Sequence, residues 1–141
     1  MKLKRTAADH WFSRCIRMRN EFKCQGCGKQ YEENSPGLHC SHYFSRAKKG
    51  IRYDKLNAFA HCYGCHQRFG SSPDYFVRHY IDTYGEGALE LVREKAEDID
   101  LAKRAHKEVK EIAKHYKAEA ERMENERAAG VRGWLEFVSW D

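Results

Sequence analysis

A chain of 141 residues is long enough for one domain with a modest core plus one appended element. No stretch is apolar and long enough to span a membrane, and residues 1–11 lack the apolar segment of a secretion signal, which predicts a cytoplasmic protein with no membrane partner. The net charge of +5 divides into +9 over residues 1–70 and −4 over residues 71–141. A basic half favours a polyanion partner such as nucleic acid, although a solvated charged face is the simpler explanation.

The first predicted element is a helix over residues 7–20. Thr6 followed three residues later by Asp9 forms a capping-box pattern, which marks a helix start. Arg14, Arg17 and Arg19 lie mostly off its apolar side. They either remain solvated or present guanidinium groups to phosphates, and periodicity cannot separate the two.

Two short strands follow, each next to a Cys-x-x-Cys knuckle. Cys24–Cys27 forms the first knuckle, and residues 38–45 then read as a strand. Residues 57–60 read as a second strand, and Cys62–Cys65 forms the second knuckle, after which a helix begins. The expected fold is therefore α+β and mostly helical, with a small ββα unit held by zinc, flanking helices and a long C-terminal helix.

The second half of the chain is predicted to be helical. Ser72 and Pro73 open a helix that Gly85 and Gly87 interrupt before it continues over residues 88–97. Residues 98–129 carry one apolar stripe with steps of three or four, which predicts a long helix. We therefore divide the chain at 97/98, and expect residues 98–141 to fold back on the core or to form a homodimer interface. The aromatic tail, residues 134–140, is a candidate strand.

Four cysteines form a candidate structural zinc site. Zinc takes four deprotonated ligands in a tetrahedron, and one Cys-x-x-Cys turn supplies two of them. Cys24, Cys27, Cys62 and Cys65 provide two such pairs, and a glycine lies inside each (Gly26 and Gly64). Free thiols and a redox-active pair are the alternatives. Of the other two cysteines, Cys15 is expected in the core, whereas Cys40 either packs inside or contributes to a second metal site.

Three residues between and after the knuckles have the side chains that phosphodiester hydrolysis requires. A base must activate water and a cation must stabilise the charge that develops on the phosphate. His42 lies near the end of the first predicted strand, Asn57 lies five residues before the second knuckle, and His66 directly follows it. Histidine suits the role of base because its ordinary pKa is close to neutrality. The competing interpretation is a DNA-binding or protein-binding zinc adaptor without activity.

This order resembles that of zinc-containing HNH (ββα-metal, His-Me finger) endonucleases, and most closely the phage NinG/Rap recombination nucleases. The resemblance covers about residues 8–95 and lies in residues 8–19, 40–46, 51–57 and 61–65. It implies a metal-dependent DNA endonuclease in which His42 is the general base and Asn57 orients the His42 loop. It also implies that His66 binds a catalytic Mg²⁺ or Mn²⁺, while the four cysteines hold structural zinc.

The sequence departs from that family at Ser41. Many HNH nucleases have an aspartate or histidine directly before the base, as a second ligand of the catalytic metal. Serine is a poor Mg²⁺ ligand. His39 or His61 could substitute, or the ion could rely on His66, water and the substrate phosphate.

A basic segment around the predicted site is the candidate DNA contact. Such contacts position the nucleic acid without reading its sequence. The family resemblance implies recombination in a bacterial or phage-infected cell, with branched DNA such as a Holliday junction as substrate, while RNA remains an alternative. The predicted contact residues are Arg46, Lys48, Lys49, Arg52, Lys55 and Arg68.

Overall fold

A computed structural model describes residues 3–141 as six α-helices, two short 3-10 helices (Lys49–Ile51 and Lys55–Asn57) and one two-stranded antiparallel sheet. No helix in this part of the chain combines the length and the apolar character that crossing a membrane requires. The elements run in the order α1 (Ala7–Arg19), β1 (Leu38–His42), β2 (Ala58–Cys62), α2 (Tyr63–Ser71), α3 (Pro73–Tyr84), α4 (Glu86–Ala96), α5 (Ile99–Lys107) and α6 (Val109–Ala128).

The capping box predicted for α1 is present. The Thr6 hydroxyl accepts a hydrogen bond from the Asp9 backbone N–H, and the Asp9 carboxylate accepts one from the Thr6 backbone N–H. Each of these N–H groups would otherwise lack a partner in the first turn.

The sheet is short, and its two strands pair residue by residue. His42 lies opposite Ala58 and Leu38 opposite Cys62. The first strand ends at His42 rather than at residue 45, because the chain then turns through Ser45, whose hydroxyl accepts from the Ala47 N–H. The second begins at residue 58 rather than 57, because Asn57 ends a 3-10 turn.

Helices cover both faces of the sheet. On one face lies α1, whose Phe12 ring contacts the rings of His42, Tyr116 and Phe137. On the other face lie α2 and α3, where Phe59 contacts the rings of Phe76 and His79. The sheet is therefore the middle layer, and its edge strand β1 remains open on one side.

The prediction of one long helix over residues 98–129 is wrong in one respect. The chain is helical there, but the helix breaks at Glu108 into α5 and α6. The two helices cover different surfaces. Leu101 and Ala105 of α5 are buried where α5 packs on the turn at Lys49–Ile51, whereas the buried stripe of α6 packs on α1. The apolar residues on either side of Glu108 keep a spacing of three or four, so the stripe continues from α5 into α6.

The stripe of α6 packs within its own chain. Ile112, Tyr116, Ala120 and Met123 are fully buried and belong to one hydrophobic cluster with residues of α1 and the sheet. Of the two alternatives for this stripe, folding back on the core is the one observed. The cluster crosses the predicted division at 97/98, and the homodimer stays a prediction.

The C-terminal tail is not a strand. Phe137 is buried, and the neighbouring backbone bonds to other elements rather than to the sheet. The Lys55 ammonium donates to the Phe137 carbonyl at 2.8 Å, and the Leu135 N–H donates to the Arg19 carbonyl at 2.9 Å. The tail thus crosses α1 and the segment before β2.

Candidate active site and metal cluster

Four cysteines come together at one end of the sheet. The sulfur atoms of Cys24, Cys27, Cys62 and Cys65 all lie within 4.8 Å of one another. The Sγ atoms of Cys27 and Cys62 are 3.9 Å apart. Sulfurs bound to one tetrahedral zinc at about 2.3 Å would be about 3.8 Å apart. Both the donor set and the spacing therefore fit a metal ion such as zinc.

Backbone N–H groups surround the Cys24 sulfur. It accepts from the N–H groups of Gly26 at 3.3 Å, Cys27 at 3.5 Å and Cys62 at 3.2 Å. Hydrogen bonds of this kind favour a thiolate, the form that binds metal. The last of the three connects the first knuckle to the start of α2, so the fold brings the two cysteine pairs together.

The glycine in the first knuckle is required by packing. A Cβ at Gly26 would lie 2.7 Å from the Cys65 sulfur, which no side chain allows without a shift of the cluster. A Cβ at Gly64 would meet nothing within 4 Å. Packing therefore requires glycine in the first knuckle, at Gly26, and leaves room for a side chain in the second, at Gly64.

The remaining cysteines lie outside the cluster. Cys15 is buried, and its sulfur is 3.5 Å from the Tyr116 carbonyl. Burial raises the pKa of the Cys15 thiol to about 12, and burial likewise raises the pKa of the Cys40 thiol to about 12. Both thiols are therefore neutral at physiological pH, and Cys40 forms part of a cavity wall.

His42 is held by one ring nitrogen. Its Nε2 lies 2.9 Å from the Arg52 carbonyl oxygen, which can only accept, so Nε2 carries the proton and Nδ1 is the free acceptor. Burial lowers the pKa of His42 to about 4. The ring is therefore neutral at physiological pH with a lone pair on Nδ1, which is the state required of a base.

Asn57 connects the two sides of the segment between the strands. Its side-chain oxygen accepts from the Phe44 N–H at 2.8 Å, and its amide nitrogen donates to the Phe44 carbonyl at 3.1 Å and the Ile51 carbonyl at 3.2 Å. Asn57 itself is fully buried. Its side chain thus fixes the backbone on both sides of residues 45–50, next to the carbonyl that holds His42.

A cavity of about 610 Å³ opens beside the edge strand β1. Three of the histidines and three arginines of the chain line it, together with Asp9 as the one acidic residue among the lining. The Asp9 carboxylate accepts from the Arg52 guanidinium at 2.5 and 3.0 Å, and the Arg46 guanidinium lies 3.9 Å from the same carboxylate. The basic and histidine groups of the lining are Arg5, Arg17, Arg46, His39, His42 and His66.

The structure distinguishes the three arginines of α1. Arg14 forms ion pairs with Glu33 and Glu124, and Arg19 is buried and donates to the Ala58 carbonyl at 3.2 Å. Arg17 lines the cavity and bonds locally to Ser13. Sequence reasoning named Arg17 as one of three arginines that either stay solvated or meet phosphates, and it did not name Arg5.

The six predicted DNA-contact residues have different surroundings. Arg46 lines the cavity, and Arg68 is exposed on α2 with its guanidinium 5.1 Å from the Tyr75 ring. Lys48 and Lys49 lie over a separate depression formed with α4 and α5, and Lys48 pairs with Glu97 at 3.3 Å.

Arg52 and Lys55 are corrections to that prediction. The Arg52 side chain is 8% exposed because it forms a buried ion pair with Asp9, so it is not available to a phosphate. The Lys55 ammonium is engaged by the tail, through the Phe137 carbonyl and Glu136. The Arg52 and Lys55 side chains therefore stabilise contacts between distant parts of the chain.

His66 lies in the first turns of α2 and meets His39 of β1, with their Nδ1 atoms 3.3 Å apart. The other two candidates for the second metal ligand do not reach the cavity. Ser41 is buried, with no hydrogen-bond partner for its hydroxyl within the described residues. His61 is fully buried, and its Nε2 lies 3.0 Å from the Nε2 of His79.

The cavity therefore combines a neutral imidazole with a free nitrogen, a pair of further imidazoles and an excess of arginine over acidic side chains, next to a four-cysteine cluster suited to a metal ion. No family profile, no curated protein and no solved structure matches the chain.

Proposed function

We propose that this protein is a metal-dependent endonuclease of the HNH type that hydrolyses DNA phosphodiester bonds. The observation that carries the proposal is the arrangement of His42, held through Nε2 by a backbone carbonyl so that Nδ1 is free to accept a proton. This arrangement occurs in a basic cavity that also contains His66.

In this proposal His42 accepts the proton of the attacking water. The Arg52 carbonyl stabilises the ring as it becomes positively charged, because that carbonyl already accepts from the other nitrogen. Asn57 maintains the backbone geometry that keeps this carbonyl in place. The two residues thus act as base and positioning residue.

The basic residues of the cavity would hold the phosphodiester. Arg5, Arg17 and Arg46 line the same space as His42, and the single carboxylate among the lining, Asp9, lies 2.5 Å from Arg52 and 3.9 Å from Arg46. A phosphate in the cavity would therefore meet positive charge next to the base. Contacts of this kind do not read bases, which supports a substrate chosen by its shape, such as branched DNA in recombination.

Two metals complete the proposal. Zinc in the four-cysteine cluster would fix the start of α2, and with it His66. A divalent ion, Mg²⁺ or Mn²⁺, held by His66 would supply the positive charge that stabilises the phosphate during hydrolysis. The residues of the chain bind the DNA, orient the base and receive the proton.

The test is nicking of supercoiled plasmid and of a synthetic four-way junction, with Mg²⁺, Mn²⁺ or EDTA. His42→Gln keeps an amide N–H for the Arg52 carbonyl but lacks a basic nitrogen. His115→Gln on α6 is the matched control, since His115 donates to the Val138 carbonyl outside the cavity. We expect divalent-dependent cleavage that falls about 10²–10⁴-fold in His42→Gln and is unchanged in the control.

Zinc content and circular dichroism of each variant show that its fold is intact. Cleavage that persists in a folded His42→Gln variant would refute the role of His42. A zinc-loaded wild type that binds DNA without cutting it under any divalent ion would favour the adaptor. Matched DNA and RNA substrates in the same assay separate a DNA nuclease from an RNA nuclease.

A further inference from the structure

We propose that His39 supplies the second protein ligand of the divalent ion, and that the resulting pair of imidazoles, His39 and His66, makes the site favour Mn²⁺, Co²⁺, Ni²⁺ or Zn²⁺ over Mg²⁺. The inference rests on the proposed function and names the metal chemistry of the same cavity.

The spacing of the two rings fits a shared ion. A metal–nitrogen bond of about 2.05 Å places two imidazole nitrogens about 2.9 Å apart at a right angle and about 3.3 Å apart at a tetrahedral angle. The Nδ1 atoms of His39 and His66 are 3.3 Å apart. The two nitrogens are therefore already at the separation that a shared ion would set.

Both imidazoles are held by elements that are fixed independently. His39 belongs to β1, where it pairs with His61 of β2. His66 directly follows Cys65, so the four-cysteine cluster determines its place on α2. A preorganised pair binds a metal more tightly than two mobile side chains would, because less conformational entropy is lost.

The donor set decides which metals fit. Mg²⁺ prefers oxygen ligands and usually one or two carboxylates, whereas imidazole suits the later transition metals and zinc. Asp9 is the one acidic residue among those lining the cavity, and both of its oxygens accept from Arg52. No third His, Cys, Asp or Glu joins His39 and His66 within residues 3–141, so water and phosphate oxygens would fill the other positions.

The alternative is that the two rings are linked by a simple hydrogen bond, in which one Nδ1–H donates to the other nitrogen. That arrangement would need no metal. It predicts no more affinity for a transition metal than an isolated surface histidine has, and it predicts a cleavage reaction that does not depend on His39.

The test uses Co²⁺ and proton NMR of zinc-loaded protein. Ligation through Nδ1 leaves an Nε2–H on each ring, so wild type should show two exchangeable ring resonances shifted by the paramagnetic ion. His39→Gln and His66→Gln should each remove one of them and weaken Co²⁺ binding about tenfold or more. His115→Gln should leave both resonances in place, and zinc analysis after titration shows that the cysteine cluster has kept its zinc.

A parallel cleavage assay compares equal concentrations of Mn²⁺ and Mg²⁺. We expect wild type to cut about tenfold faster with Mn²⁺ and His39→Gln to lose that advantage. Two shifted resonances without any cleavage would support this inference and refute the nuclease. Cleavage that is as fast in Mg²⁺, or Co²⁺ resonances unaffected by His39→Gln, would refute the inference and leave the nuclease proposal standing.

Discussion

Asn57 bonds to both backbone polar groups of Phe44, accepting from its N–H and donating to its carbonyl. The two residues are 13 positions apart and lie on either side of the segment that carries the Arg52 carbonyl. The Asn57 side chain therefore fixes the backbone on both sides of residues 45–50.

Replacing Asn57 should damage both stability and catalysis. Asn57→Ala leaves the Phe44 N–H and carbonyl without this partner and removes one of the two donors to the Ile51 carbonyl, which should lower the free energy of unfolding by about 2–4 kcal/mol in urea denaturation. Asn57→Asp keeps the acceptor for Phe44 N–H but sets a carboxylate oxygen against two carbonyls, so it should also be destabilised. If Asn57→Asp were as stable and as active as wild type, the role given to the amide nitrogen would be wrong.

Removal of one clustered cysteine should abolish zinc binding. We expect wild type to contain one equivalent of zinc by atomic emission and Cys24→Ser to lose it, because Cys24 is one of the four clustered sulfurs and three N–H groups converge on it. The matched control is Cys15→Ala, which removes a thiol buried away from the cluster. It should keep the zinc, and loss of zinc in both variants would show that the assay reports unfolding instead.

Acid should destabilise the protein through His61. Burial, followed by the neighbouring charges of His79 and His66, lowers the pKa of His61 to about 3. As pH falls below 6.5 the unfolded chain takes up a proton at this site and the folded chain does not, so stability is lost on acidification. At pH 5 the loss should be about 2 kcal/mol.

The control for this effect is His61→Phe, which cannot take up that proton. Its free energy of unfolding should depend less steeply on pH between 6.5 and 4. Zinc release in acid affects both proteins, so the difference between their pH profiles isolates the histidine. Parallel profiles would show that the His61 pKa is not lowered.

The buried Asp9–Arg52 pair should be structural. Arg52→Met leaves the Asp9 carboxylate, which is 6% exposed, with only the more distant Arg46 guanidinium at 3.9 Å as a charged partner, and should cost about 3–5 kcal/mol of unfolding free energy. Adding Asp9→Asn to that variant should restore part of the loss, since the uncompensated charge disappears. An Arg52→Met protein with wild-type stability would favour the original assignment of Arg52 to phosphate binding.

Arg46 should contact phosphate. If it does, Arg46→Ala weakens DNA binding and reduces the slope of log Kd against log salt by about 1. Lys114→Ala on α6, where the side chain is 76% exposed, removes the same charge away from the cavity and should leave the slope unchanged. Fluorescence anisotropy with labelled duplex DNA in EDTA measures both. Equal slopes for the two variants would place the DNA elsewhere.

Local signals in the sequence predicted the elements that depend on local chemistry. Thr6 and Asp9 are three residues apart, and a capping box requires nothing more, so the start of α1 was predictable. The two Cys-x-x-Cys pairs predicted a cluster because their spacing already fits one metal ion. Asn57 and His42 could be named as a pair only through family resemblance, since their relationship runs through the Arg52 carbonyl.

What the sequence could not predict depends on distant partners. Arg52 looks like any surface arginine until Asp9, 43 positions earlier, is seen to neutralise it. The break at Glu108 has no glycine or proline to mark it, because it arises from the two surfaces that α5 and α6 cover. Likewise, the periodicity of α1 predicts which face of the helix carries Arg17, but it cannot predict that a cavity lies beside that face.

The way the tail holds Lys55 has a consequence for synthesis of the protein. Lys55 and the Phe137 carbonyl that it contacts are 82 positions apart, and the Lys55 N–H also donates to the Ser139 hydroxyl at 3.2 Å. The ribosome therefore synthesises the sheet and α2 well before the tail residues that hold the segment around Lys55. Incomplete chains would carry both cysteine pairs without that support, so the final contacts of this segment should form only after synthesis of the tail.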